Sequence, residues 1–257
     1  MAQFSGRPAI LALFFLSAAP AMAEEQDLSQ AASDPTAALM SFQLQGYYSP
    51  TVHGTDEDAA YVRFRAAIPF EAFGLQNIAR LTLPYVTESP SGTTGLTDST
   101  LFDLVTFTRP WGRFGLGAVA LLPTGSGDLS AGQYAVGPAA GFTVQNGRIL
   151  WGAFNQNVFT IAGDDDKPEV NSSTLQPILN IGQGNGWSTG LSDKSFAYDW
   201  DEGGWTSLPL GLKVATLQPV GSVPVQFTFS YEVNFADHPG TPEETWGAVV
   251  KVLLPRG

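Results

Sequence analysis

The sequence predicts an all-β chain that forms a single antiparallel transmembrane β-barrel of about twelve strands, led by a short N-terminal segment that is either periplasmic or a plug. Three observations predict it. Residues 1–23 read as an export signal, with Arg7 near the start, an apolar run from Ala9 to Leu16, and Ala21 and Ala23 at a small-residue cleavage site. That run is far short of the roughly 20 residues a spanning helix needs, and no later stretch supplies one. Next, the chain alternates with a period of two: in "VQFTFSYEVNF", Val225, Phe227, Phe229, Tyr231, Val233 and Phe235 share one phase, and Gln226, Thr228, Ser230, Glu232 and Asn234 the other. Finally, long acidic connections such as "SPTVHGTDED", "AGDDDKPEVNSS" and "ADHPGTPEE" alternate with tight ones such as "PWG", "QNG" and "GQGNG". Long loops at one end and short turns at the other are the asymmetry of an outer-membrane barrel, whereas a soluble β-sandwich has no reason for it.

Composition agrees. Gly 28 and Pro 18, with Phe 17, Tyr 7 and Trp 6, suit many short strands and turns. The absence of cysteine excludes a disulfide scaffold. Without the signal, 11 basic residues stand against 24 acidic ones, a net of −13, which excludes nucleic acid as a partner and leaves outer-membrane lipid and a small molecule.

The chain divides into the signal (1–23), an N-terminal segment (24–38) and the barrel (39–257). In the second region "SDPTAALM" suggests a short helix with Asp34 as its cap and Pro35 at the first helical position. Strands are expected to start near Leu39, Tyr61, Asn77, Leu101, Arg113, Gln133, Arg148, Thr174, Trp187, Trp205, Pro224 and Thr245. In the second, Val62, Phe64, Ala66 and Ile68 oppose Arg63, Arg65 and Ala67; in the third, Leu81, Leu83 and Tyr85 oppose Arg80 and Thr82. The fourth, "LFDLVTFTR", puts Asp103 in phase with Val105 and Phe107, and the seventh, "RILWGAFNQNVF", is apolar in both phases, so their faces stay open. In the tenth, Leu208, Leu210, Leu212 and Val214 oppose Ser207, Gly211 and Lys213; in the last, Trp246, Ala248, Val250 and Val252 oppose Gly247, Val249 and Lys251. Two connections break the alternation, a short "DEGG" after the ninth strand and a longer "LQPVGSVP" after the tenth. Pro69, Pro84 and Pro209 fall in the lumen phase and suggest bulges or contact with a plug, although a strand end would equally explain Pro69.

The segments "SQAASDPTAALMSFQLQGYY", "LPLGLKV" and "LQPILNIGQGNGWSTGLSDKSFAYDW" resemble a group of bacterial outer-membrane barrels classed as transporters. That group is similar to the barrel family linked to meta-pathway phenol degradation and, more distantly, to the fatty-acid and aromatic-hydrocarbon transporters. The resemblance implies about twelve strands, movement of small hydrophobic or aromatic molecules, and no catalytic residues. The chain departs from the pattern in ending "VKVLLPRG" rather than in an aromatic residue, and in a leading segment too short to be a full hatch.

The lumen-lining candidates are Arg63, Arg65, Arg80, Lys213 and Lys251, with Glu232 as the clearest acidic neighbour. Such a set either attracts anions and orients a polar head group or fills the barrel as an internal salt-bridge network. The carboxylates of Asp56, Glu57, Asp58, Asp164, Asp165, Asp166, Glu243 and Glu244 lack the spaced ligands of a calcium loop and read as solvated charge. No cofactor or metal motif is present. His53 and His238 lie in outer loops beside Ser49, Thr51 and Asp237, which argues for no enzyme; a lipid-acting barrel enzyme and a structural or surface-binding barrel are the alternatives. Trp111, Trp151, Trp187, Trp205, Trp246 and Tyr85 fit interfacial girdles.

Overall fold

The structure is a computed structural model that describes residues 28–254, so the export signal expected over residues 1–23 and the last residues of the "VKVLLPRG" terminus lie outside the described residues. Its strands are β1 Met40–Ser49, β2 Ala59–Ala72, β3 Leu75–Glu88, β4 Gly95–Leu96, β5 Ser99–Arg109, β6 Gly112–Leu122, β7 Gln133–Asn146 and β8 Ile149–Gly163. They continue as β9 Ser172–Gly184, β10 Trp187–Leu191, β11 Phe196–Asp199, β12 Gly204–Ser207, β13 Pro209–Val220, β14 Val223–Asn234 and β15 Glu244–Leu254. All pairings are antiparallel, and β15 returns to β1 from Met40↔Leu254 to Tyr48↔Trp246, closing a barrel of twelve staves. The ninth stave is split into β10 and β11 and the tenth into β12 and β13, while β4 is a short addition to β3.

Every even connection is tight. The β13–β14 ladder runs unbroken to Val220↔Val223, so "LQPVGSVP" is strand on both sides of a two-residue Gly221-Ser222 turn, correcting the longer loop expected there. The "DEGG" exception is the tip of the β11–β12 hairpin, which carries staves nine and ten outward. Asn185 (φ 53) and Gly186 (φ 76) both sit in the left-handed region, the geometry of a type I′ hairpin and the reason an Asn-Gly pair closes β9 onto β10.

Burial shows which face of each strand points outward. Phe227 and Phe229 on β14 point outward and exposed, while Gln226, Ser230 and Glu232 are buried inside. Leu210, Leu212, Trp246 and Val250 are likewise exposed on the outer face. None of the three lumen-phase prolines sits at a register shift, so the bulges expected of them are absent. Pro69 pairs with Ile78, past the last β1–β2 pair at Ser41↔Ala67. Pro209 begins β13 after the break in its stave.

The two strands with open faces resolve against a simple polar-in rule. β5 turns Phe102 and Leu104 inward and β8 turns Leu150 and Phe154 inward, where they pack with Val119, Ala139 and Ile178 as an apolar cluster on one inner wall. By alternation Asp103, Asn155 and Asn157 face outward. Asn155 donates to the Thr174 carbonyl (2.9 Å), Asn157 to Asn155 (2.6 Å), and Ser173 to Asn157 (2.6 Å), so these groups satisfy one another. Asp103 lies between Ala79 and Ala118 and has no hydrogen bond or ion pair among the described residues. Charge on the lipid face is destabilising, so Asp103→Leu is expected to raise the denaturant midpoint for unfolding from lipid vesicles. A lowered midpoint would mean that Asp103 has a partner.

Candidate functional site in the barrel lumen

The N-terminal segment enters the barrel at the short-turn end. Residues 28–31 form a single helical turn, and the chain then runs extended to β1. Asp34 is not the helix cap expected of it, because Pro35 is followed by a turn in which the Asp34 carboxylate accepts from the Thr36 N–H (2.8 Å). Its carboxylate also accepts from Thr143 Oγ1 (3.1 Å) and pairs with Arg113 (3.0 Å). Gln30 donates to the Arg148 carbonyl (3.1 Å) and accepts from Asn180 (3.1 Å), while Leu28, Ala32 and Leu39 pack on Leu217 and Leu253 of the inner wall. Ser29, Gln30, Asp34 and Thr36 are therefore buried although polar, each against the wall of the barrel.

Above this plug lies the basic wall. Arg63 and Arg65 are two apart on β2, roughly 6–7 Å along one face; Arg80 on β3 stands opposite Ala67, one step diagonal from Arg65. Arg63 donates to Gln45 and to the Tyr47 hydroxyl (3.1 Å). Arg80 lies 3.9 Å from the Phe102 ring centroid, at the seam between the basic and apolar walls. Lys251 Nζ donates to the Ala32 carbonyl (2.6 Å) and so ties the plug to β15. Arg65 makes no hydrogen bond or ion pair among the described residues, and the Nε atoms of Arg65 and Arg80 are buried without partners.

Sequence periodicity missed two members of this set. Between β10 and β11, residues 192–195 leave the sheet: Ser192 still donates to the Gly211 carbonyl (3.0 Å), but Asp193 and Lys194 project into the lumen. Asp193 pairs with Lys213 (2.6 Å), and Lys194 with Glu232 (3.5 Å). Glu232 is thus engaged with Lys194 rather than with any of the five predicted cations. Once the two acids are matched with two lysines, Arg63, Arg65, Arg80 and Lys251 have no carboxylate within ion-pair distance among the described residues. An irregular "SDKS" carries no phase, so neither residue could be assigned a face from the sequence.

Three cavities follow one another through the barrel. The upper one, about 380 Å³, is lined by Arg63, Arg65 and Arg80 and by Val119, Leu121 and Val158 of the apolar side. Arg65, Arg80, Gln176 and Asp193 also line the next, a crevice of about 80 Å³ beside the plug. Asp34 borders both that crevice and a third space of about 180 Å³ near Trp111 and Arg113 at the short-turn end.

The outer loops hold the histidines. His53 Nδ1 is 3.2 Å from Asp237 and 3.8 Å from Glu243, which fastens the first long loop to the last; His238 Nε2 is 2.9 Å from Glu202. His53 Nε2 and His238 Nδ1 have no partner, and Ser49 Oγ bonds Thr245 (3.1 Å), so no described hydroxyl bonds either imidazole. No group of three potential metal ligands occurs among the described residues.

No family model matches the chain, and no curated protein matches its sequence. Among solved structures it is similar to an outer membrane channel from Pseudomonas putida F1, with 10% identity and a TM-score of 0.60 over 86% of this chain and 99% of that one. It also aligns with outer membrane phospholipase A from Escherichia coli (10% identity, TM-score 0.45, 84% of this chain and 92% of that one). A mutant of the Rh. blastica porin aligns at 10% identity with a TM-score of 0.31, over 84% of this chain and 99% of that one. The first likeness is one of fold, and it agrees with the closed ladder of twelve antiparallel staves that makes this chain a β-barrel.

Proposed function

We propose that the barrel is a channel or transporter that takes small molecules across the bacterial outer membrane, hydrophobic or aromatic ones among them. The observation that carries this reading is the series of three cavities with shared lining residues, interrupted by a plug attached through a few side chains. The apolar cluster on the inner wall supports an apolar cargo, since a purely aqueous pore has no use for Phe102, Leu104, Leu150 and Phe154 inside. The resemblance to the phenol-degradation family points the same way.

An enzyme acting on lipids is the second reading, and the free nitrogens of His53 and His238 weigh against it because neither meets a nucleophile. Purified protein reconstituted in a planar bilayer is expected to give small, discrete current steps. His53→Ala with His238→Ala should leave those steps in place. A silent wild type together with lipid hydrolysis lost in the double variant would reverse the ranking.

A further inference from the structure

The lumen is divided lengthwise by chemistry. One side of the upper cavity presents guanidinium groups from β2 and β3, and the facing side presents Val119, Leu121 and Val158. The cations exceed the acids there: Asp193 and Glu232 are each matched by a lysine, and nothing acidic faces Arg63, Arg65 or Arg80 within ion-pair distance among the described residues. Like charges gathered on one face repel, and a buried cation with no counter-charge is costly. A barrel selected only for stability would have paired or replaced them.

The geometry points to a binding site for a compact anionic amphiphile, a carboxylate or sulfonate on a short alkyl or aryl body. It rests on the reading of the barrel as a passage for small molecules and adds the substrate class. The anionic head would accept hydrogen bonds from the guanidinium ends of Arg65 and Arg80, which line the cavity and have no ion pair among the described residues, with Arg63 held beside them by Gln45 and Tyr47. The body would lie on Val119, Leu121 and Val158, and Arg80, stacked on Phe102, marks where head and body join. The cavity of about 380 Å³ is near the lower end of small-ligand sites, which favours a short body over a long acyl chain.

Equilibrium dialysis of the full mature protein in a non-ionic detergent, with octane-1-sulfonate, octan-1-ol and octylammonium as probes, tests this. Octane-1-sulfonate is expected to bind one per barrel, and the alcohol and the ammonium at least about ten-fold more weakly, as befits charge-assisted contacts. R65Q with R80Q should remove that preference while leaving the micelle background unchanged. L121N should weaken octane-1-sulfonate but not methanesulfonate, because only the former touches the apolar wall. Equal binding of all three octyl probes, or a preference that survives R65Q with R80Q, would overturn the proposal. Current steps without sulfonate binding would sink the substrate class and spare the channel, whereas sulfonate binding without any current would do the reverse.

Discussion

Deleting residues 24–38 is expected to raise the single-channel conductance by about ten-fold, because a twelve-stranded barrel is wide enough to conduct and only a small crevice lies beside this segment. The crevice of about 80 Å³ has room for only a few waters. Its lining includes Ala31, Asp34, Pro35 and Ala37 of the plug, so removing them merges the upper and lower cavities. The barrel itself should survive, since its ladder closes through β1 and β15 without the segment. Asp34→Ala is the subtler form of the same test. It leaves Arg113 without its acid and removes the carboxylate that Thr36 and Thr143 share as acceptor; with Arg113 about a third exposed, the loss is on the order of 2–3 kcal/mol. That corresponds to roughly a hundred-fold shift towards the undocked plug, visible as frequent large openings in an otherwise quiet trace. Unchanged conductance in the deletion would mean that the segment is not the barrier.

Replacing Arg63 and Arg65 by Gln is expected to move the reversal potential in a salt gradient from anion towards cation preference, although the whole sequence carries a net charge of −12. Charges beside the permeating ion govern selectivity, and the acidic outer loops are screened beyond about 8–10 Å at ordinary salt. At an effective permittivity near 20, a unit charge about 7 Å away contributes roughly 2 kcal/mol, so losing two should change the chloride-to-potassium ratio by at least about ten-fold. Folding should be little affected, because Arg65 has no hydrogen-bond or ion-pair partner to lose among the described residues and Arg63 gives up only neutral ones, Gln45 and Tyr47. A large fall in melting temperature with unaltered selectivity would instead assign these arginines to internal support.

Much of this architecture was legible in the residues. The period of two in β14 and the clean segregation of Arg63, Arg65, Lys213 and Lys251 from their greasy neighbours express a wall between lipid and lumen, and a strand has only two faces. A hairpin turn is equally local where its residues are distinctive: Asn185-Gly186 announces itself by conformational need, whereas Gly221-Ser222 was hidden in what read as a longer loop. Pattern failed where the lumen is itself apolar. In β5 and β8 the inward Phe102, Leu104, Leu150 and Phe154 have the hydrophobicity of lipid-facing residues, and only closure of the barrel, which brings β5 to β9 into one wall, shows that they pack on each other.

Long-range pairing was also beyond the sequence. Lys194 meets Glu232 across 38 positions, and Asp34 meets Arg113 across 79, contacts decided by where the ninth stave breaks and where the N-terminal segment enters. Local spacing even suggested the wrong role for Asp34, since an aspartate before a proline suits both a helix cap and a turn, and the arginine waiting at the short-turn end selects the turn. The sequence by itself determined the alternation, the turns and the sign of the inner wall, because each depends on neighbours along the chain. Tertiary structure alone decided which cations remain unpaired and what closes the pore, because both follow from groups brought together only when β15 pairs with β1.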